Sequence, residues 1–223
     1  MNWDGHAERE EGRYADGIAR LPDEPDARQK QIVRIAMAAT GAGLARLMQG
    51  RRAEAVGWLA RSAERFRESY ADAPPGSWGR LIGAVKARML AGDQQGAEAD
   101  AAWALEQGPA GAESPIGRYA AVLALLTLGR DEEATSTVAP LMEEPEESFP
   151  RPVAEALAAL AAGDGAAYGD AAARVLESFE HRDEYLEGIP VADTVIVLQA
   201  LAERRGIAAE LRSPLLPEKA AGS

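Results

Sequence analysis

The stretch MQGRRAEAVGWLARSAERF, residues 48–66, decides the fold because one helical pattern stops at Gly50 and another begins within two residues. Glycine readily adopts the left-handed backbone conformation that ends a helix. From about Arg52 to Tyr70, four apolar residues then recur at helical spacing and form a single stripe. They are Ala55, Leu59, Ala63 and Phe66. Two helices joined by so short a turn must lie antiparallel, so this stretch predicts a helical hairpin.

The segment before Gly50 supplies the first helix of that hairpin. Its apolar residues follow helical spacing from about Ala27 to Met48, and Asp26 is the expected N-cap residue. The tetrapeptide TGAG at Thr40–Gly43 is poor helix sequence. Either it divides the segment into two helices, or its small residues allow a neighbouring helix to approach closely.

The same pattern returns three times along the chain. Helical patterns break at Gly92, Gly129 and Gly163, and the successive separations, counted from Gly50, are 42, 37 and 34 residues. Linkers rich in proline or glycine divide the units. Repetition at this period is typical of an α-solenoid of stacked hairpins. We therefore predict an all-α array of nine to eleven helices, in which four antiparallel hairpins are followed by a C-terminal cap.

Two of the units carry residues of a known repeat pattern. In the first unit these are Gly43, Gly50, Ala55 and Leu59, with RRAEA at the turn, and in the third they are Gly129 and Ala134, within GRDEEA. On these residues the chain resembles tetratricopeptide repeats over roughly residues 30–180. The resemblance implies a TPR-like, right-handed α-solenoid that binds proteins. The uneven spacing departs from a regular repeat, so we do not expect a uniform superhelix.

The C-terminal part has a different pattern. A helix is predicted from Asp193 to about Arg205, with a stop at Gly206, and the apolar tail after it is expected to dock on the last hairpin as a cap. The sequence predicts four regions along the chain. They are a flexible acidic N-terminal segment (1–25), stacked helical hairpins (26–190), a capping helix with its tail (191–217) and a disordered end (218–223).

The closing sequence DTVIVLQALAERRGI…LRSPLLP also resembles a helical immunity-protein family of bacterial polymorphic toxin systems. The residues that carry this similarity are Leu198, Ala200, Leu201, Arg205, Gly206, Pro214, Leu215, Leu216 and Pro217. The resemblance implies a protein that binds and neutralises a toxin and performs no chemistry of its own.

The charge of the chain favours some partners over others. The formal net charge is −12, which opposes binding to nucleic acid and to anionic membranes and allows a basic protein partner. Residues 131–147 hold seven carboxylates and no Lys or Arg, and residues 177–187 hold five with one Arg. An acidic N-terminus and the absence of a long apolar run lead us to expect a cytoplasmic protein.

No motif for chemistry stands out in the sequence. The chain has no cysteine, which removes disulfides and thiolate chemistry. Its two histidines, His6 and His181, are far apart, and the glycine-containing segment at 161–171 lacks the lysine of a phosphate loop. We therefore predict a protein that is not an enzyme, with no catalytic residue, no cofactor and no metal.

Five residues are candidates for contact with a partner. Arginines recur on the predicted first helices and can bind a carboxylate or phosphate if they share one face, and aromatic residues serve as interface anchors. The candidates are Arg80, Arg88, Arg118, Tyr119 and Trp78. We expect the Trp78 ring to lie against the preceding hairpin, and Trp58 and Trp103 to pack in the core.

Three functions stay open at this point. The leading prediction is a non-catalytic protein–protein interaction module, either a scaffold or an adaptor, that acts as a monomer or a homodimer. The second is an immunity protein that neutralises a cognate toxin. The third is a helical small-ligand sensor or enzyme, which a cavity lined by Arg88, Tyr119 or Glu155 would favour.

Overall fold

The computed structural model of the chain describes residues 1–185 and 188–218. Within these ranges it is all-helical and contains no strand. Ten α-helices follow one another in the described ranges, and a 3-10 turn lies at Pro109–Gly111. The helices are α1 (Trp3–Ala19), α2 (Pro25–Met48), α3 (Arg52–Tyr70), α4 (Trp78–Ala91), α5 (Gln94–Glu106), α6 (Pro115–Thr127), α7 (Asp131–Met142), α8 (Arg151–Ala162), α9 (Gly165–Glu180) and α10 (Asp193–Arg205). Each helix from α1 to α9 packs on the next, as in a stacked helical solenoid.

The four predicted glycine turns join α2 to α3, α4 to α5, α6 to α7 and α8 to α9. The glycines have φ of +70°, +71°, +71° and +67° in that order, which is the left-handed region. At the first turn, the amide of Arg51 donates to the carbonyl of Arg46 at 2.9 Å, which is the closing hydrogen bond of a Schellman motif. The hairpins predicted from Gly50, Gly92, Gly129 and Gly163 are therefore confirmed.

The helix α2 is continuous through Thr40–Gly43, so the second of the two alternatives for this tetrapeptide is correct. A Cβ added at Gly43 would lie 2.6 Å from Cγ of Leu59 on α3. The Thr40 hydroxyl bonds the carbonyl of Ala36 at 3.1 Å and lies 2.7 Å from the hydroxyl of Ser62. The helix satisfies its own backbone, Leu59 of α3 lies over Gly43, and Glu10 of α1 lies over Gly41. The small residues therefore bring neighbouring helices close to α2 instead of ending it.

The N-terminal segment differs from the prediction of weak structure, since α1 occupies most of it and packs on α2. Glu10 is fully buried and accepts from Arg13 at 2.7 Å, and Arg46 of α2 donates to Glu11 at 2.7 Å. The predicted N-cap of α2 is also wrong. Glu24 occupies that position and accepts from the amides of residues 26 and 27, because the helix begins two residues earlier than expected, at Pro25.

The helix α10 begins and ends where the sequence predicted, and it lies against α4, α8 and α9. Its C-terminal arginines donate to the last carbonyls of α6, from Arg204 to Thr127 and from Arg205 to Leu126, both at 2.8 Å. These carbonyls have no partner within their own helix, so α10 satisfies the end of α6. The side chains of α10 that are buried in this position are Val195, Val197, Leu198, Leu201 and Ala202.

The tail after α10 runs without helix along α9. A Cβ added at Gly165 would lie 3.3 Å from Cβ of Ile207, and the hydroxyl of Ser213 bonds Glu180 at 2.7 Å near the other end of α9. The tail therefore covers the last helix of the stack. The predicted disordered end, 218–223, lies outside the described residues except for Glu218. None of the helices in the described part of the chain is long and apolar enough to cross a membrane.

Candidate functional site

An open apolar groove of about 380 Å³ lies between α2 and α4. One wall belongs to α2 and the other to α4, and Asp193 at the start of α10 closes one part of the rim. Phe66 of α3 also contributes, since a Cβ added at Gly83 would lie 2.7 Å from its ring. The large apolar lining residues are Val33, Met37, Phe66, Ile82 and Leu90. The volume is in the range of ligand sites, and the lining can take apolar side chains.

Among the described residues, Arg80 is the charged residue of the groove that has no opposite charge beside it. Its guanidinium donates to the backbone carbonyl of Ser69 and to the side-chain carbonyl of Gln29, which are both neutral. No described carboxylate lies within ion-pair distance of Arg80. Burial lowers the pKa of the Arg80 guanidinium, and the guanidinium nevertheless stays protonated at any physiological pH. The groove thus carries one uncompensated positive charge.

Lys86 and Asp193 form an ion pair where the groove meets α10. The ammonium donates to the carboxylate at 2.6 Å and to the hydroxyl of Thr194 at 3.1 Å, and the side chains are only 15% and 13% exposed. Burial alone would lower the pKa of Lys86, but the attraction of Asp193 and of Tyr119 and the hydrogen bond to Asp193 together raise it. Lys86 therefore stays protonated, its charge is compensated by Asp193, and the ion pair attaches the start of α10 to α4.

Gly79 is a position in the groove at which a side chain could be added. It lines the groove near Arg80, and a Cβ added there would meet nothing within 4 Å. Gly57 on α3 is likewise open and exposed but is not among the groove residues. A side chain can therefore be added inside or outside the groove without a steric clash at its Cβ.

The predicted candidates do not share one face. Arg80 lines the groove, whereas Arg88 pairs with Asp93 at 3.1 Å and with Asp100 at 3.3 Å. Arg118 pairs with Glu144 at 2.8 Å. The structure thus brings one of the three arginines to the groove and engages the other two with carboxylates of the chain.

The aromatic candidates lie on other contacts. The ring of Tyr119 is 5.5 Å from that of Phe149, and burial raises the pKa of its hydroxyl. Trp78 opens α4 as expected. Its indole, however, faces the following hairpin, because a Cβ added at Gly117 would lie 3.0 Å from the indole nitrogen. The structure thus shows a contact of the Trp78 ring with the following hairpin, and the expected contact with the preceding hairpin stays a prediction.

Trp58 and Trp103 are partly buried and take part in packing. Trp58 meets Tyr14 of α1 edge-on at 5.3 Å, which fixes α1 against α3. Trp103 meets Tyr70 in the same geometry at 5.4 Å, under the guanidinium of Arg67. Both rings have packing partners within the chain, as expected for core residues.

A second, more polar cavity of about 330 Å³ lies between α1 and α2. Three arginines line it, of which Arg13 pairs with Glu10 at 2.7 Å and Arg20 with Asp16 at 2.6 Å. The third, Arg34, is exposed. Because intramolecular carboxylates already compensate two of these charges, the cavity is a weaker candidate than the groove.

The first acidic concentration is partly used inside the fold. Asp131 pairs with Arg205, Glu133 with Arg130 at 2.6 Å, and Glu144 with Arg118. The remaining carboxylates are exposed, and these are Glu132, Glu143, Glu146 and Glu147. Glu187 of the second concentration lies outside the described residues. Across the described chain, no group of three or more His, Asp or Glu residues is placed to hold a metal ion.

Several groove residues were missed by the sequence analysis. Val33 and Met37 are four residues apart on α2, and this helical spacing of two apolar residues was the available signal. Lys86 and Asp193 are 107 positions apart, so no local pattern could pair them. Comparison with known protein families, curated proteins and solved structures finds no match to this chain.

Proposed function

We propose that the chain is a non-catalytic protein-interaction module that holds an apolar segment of a partner protein in the groove between α2 and α4. The observation that carries this proposal is an open apolar groove with an uncompensated arginine. Apolar surface of this kind is removed from water when a partner covers it, which favours association.

The chain's own α10 supports this proposal. It is a helix with valine and leucine side chains that packs on α4 and α8, the first helices of two hairpins. Its first residue, Asp193, also lines the groove. The open groove therefore lies beside the part of α4 that α10 covers. The first helices therefore accept a helical apolar segment next to the open groove, and we expect a partner segment of the same kind there.

A library of random dodecapeptides displayed for selection tests this function without a known partner. We expect selected binders to lose affinity by tenfold or more on Gly79→Phe, because the added ring enters the groove. Gly57→Phe adds the same ring outside the groove and should bind as the wild type does. If no selected peptide distinguishes the two variants, the groove is not a binding site and the proposal is wrong.

A toxin-neutralising role is a narrower form of the same function. The exposed carboxylates between α7 and α8, which include Glu143, Glu146 and Glu147, offer a surface for a basic partner. Co-expression with a toxin encoded beside the gene tests this role. We expect a stable complex whose association slows with added salt, and its absence would leave only the general interaction role.

The small-ligand sensor receives less support from the geometry. The groove lining includes none of the three residues on which that hypothesis was based, Arg88, Tyr119 and Glu155. Glu155 instead lies 2.7 Å from Arg174. A protein-interaction module is the function that the apolar lining of the groove supports best.

A further inference from the structure

We propose that the segment held in the groove is acidic as well as apolar, and that an Asp or Glu side chain of the partner pairs with Arg80. This inference rests on the proposed function and adds the chemistry of the partner. It differs from the expectation of a basic partner, which was drawn from the net charge of the whole chain.

The partners of the neighbouring cations single out Arg80. On α4, Lys86 is paired with Asp193, and Arg88 with Asp93 and Asp100. Arg80 is half-buried on the same helix, and its described hydrogen-bond acceptors are neutral. A guanidinium has five N–H donors, so the two hydrogen bonds leave donors for a further acceptor. A carboxylate accepts two of them side by side and supplies the missing charge.

The local charge points in the same direction. Among the groove-lining residues, Arg80 and Lys86 are positive and Asp193 is negative, which leaves one positive charge. The chain as a whole carries −12. A positive site on an acidic protein selects an acidic segment locally, and the surrounding negative charge disfavours segments with many carboxylates. One acidic residue beside apolar ones is the composition that fits.

The size of the groove limits the length of the segment. Arg80 and Leu90 both line it and are ten residues apart on α4, about 15 Å along a helix that rises 1.5 Å per residue. A partner helix of roughly ten residues spans that length. Its carboxylate must lie near the end next to Arg80, and its apolar side chains lie toward Leu90.

Peptide selection on the wild type and on Arg80→Glu, followed by binding measurements on the wild type and on Arg80→Gln, tests the inference with the full chain. Peptides selected on the wild type should share an Asp or Glu next to apolar residues, and selection on Arg80→Glu should replace it with Lys or Arg. For one selected peptide, changing its acidic residue to the matching amide should weaken binding to the wild type about tenfold, as expected for a partly exposed ion pair. The same change should have little effect on binding to Arg80→Gln.

The outcomes separate the inference from the proposed function. If peptides bind in a manner that Gly79→Phe blocks but share no acidic residue, the inference is wrong and the groove still binds a partner. If the peptide's amide change weakens binding equally on the wild type and Arg80→Gln, Arg80 is not the partner of the carboxylate, which also overturns it. Arg61→Gln, which removes an exposed arginine from α3, is the charge control, and on this variant the peptide's amide change should weaken binding as much as it does on the wild type.

Discussion

The conformation of single glycines determines where the chain reverses. Gly50 has φ of +70° and no atom within 4 Å of an added Cβ, so a substitution there meets only backbone strain. We expect Gly50→Ala to lower the free energy of unfolding by about 1–2 kcal/mol, the cost of a left-handed residue with a side chain. Gly57→Ala is the matched control and should raise it by up to about 1 kcal/mol, because that glycine is inside α3. Urea denaturation measures both, and equal effects would contradict the role of Gly50.

The sequence predicted these glycine positions because a left-handed turn depends on one residue and its close neighbours. The charged candidates depended on more distant residues. Arg80, Arg88 and Arg118 share the same kind of position on first helices, but their surroundings differ because Asp100 lies on α5 and Glu144 lies in the linker after α7. The sequence therefore predicted the helix on which each arginine lies, but it did not predict which carboxylate the arginine contacts in the folded chain.

At the scale of helices, small residues bring α2 and α3 together. Gly43 leaves space that Leu59 fills, and the carbonyl of Ala55 would lie 3.4 Å from an added Cβ. We expect Gly43→Ala to lower the free energy of unfolding by about 1–3 kcal/mol, because the added methyl overpacks a buried contact. The double variant with Leu59→Ala should show a favourable coupling in urea denaturation, since the smaller side chain accommodates the methyl. Additive effects would show that the two residues do not share this contact.

The ion pair of Lys86 and Asp193 joins α10 to α4. Replacing Lys86 with Met leaves a carboxylate that is only 13% exposed without its partner. We expect Lys86→Met to lower the free energy of unfolding by about 1–3 kcal/mol, below the loss for a fully buried pair because water still reaches the site. Adding Asp193→Asn should recover part of this loss in chemical denaturation. A double variant less stable than Lys86→Met would show that the charge left behind is not the cause.

The helices α3 and α10 were predicted with accurate ends, whereas α1 was not predicted. The sequence placed α3 at about Arg52 to Tyr70, and α10 from Asp193 to about Arg205, as the structure has them. The contact of α1 with α2 uses Ala7, Gly17 and the buried Glu10, a set without a large apolar side chain. Its stability comes from the neighbouring helix, which a local pattern does not show.

For the whole molecule, the repeat of hairpins predicted the stacking but not the position of α10. Nearest-neighbour packing follows from short turns between amphipathic helices. The placement of α10 on α4, α8 and α9 joins parts of the chain that are about one hundred residues apart, through side chains that any apolar helix could offer. This long-range packing also decides where the groove ends, which is why the site was only partly predictable.

The buried titratable groups predict how stability depends on pH. The folded state raises the pKa of Lys86 above its ordinary 10.5, and it raises the pKa of Tyr119 and Tyr168 above 10.0, chiefly by burial for the tyrosines. The folded chain therefore binds more protons than the unfolded chain at alkaline pH, and the free energy of unfolding falls as pH rises through this range. We expect little contribution from these groups at neutral pH and a fall above about pH 10 in urea titrations. A Tyr168→Phe variant should show a shallower fall, and an unchanged slope would exclude that group.

The position of α10 also predicts how the molecule unfolds. In an array whose helices contact only their neighbours, the two ends can unfold separately, because stability is a sum of local terms. Here α10 contacts α4 as well as α8 and α9, so loss of the C-terminal hairpin removes contacts from the N-terminal half. All four tryptophans, Trp3, Trp58, Trp78 and Trp103, lie in residues 1–106, and of these Trp78 contacts α6. Their fluorescence therefore reports mainly the N-terminal half, whereas far-ultraviolet circular dichroism reports every helix. We expect the two denaturation curves of the wild type to coincide and those of Lys86→Met to separate, with the dichroism changing first. Separate curves in the wild type would show that α10 does not join the two halves into one cooperative unit.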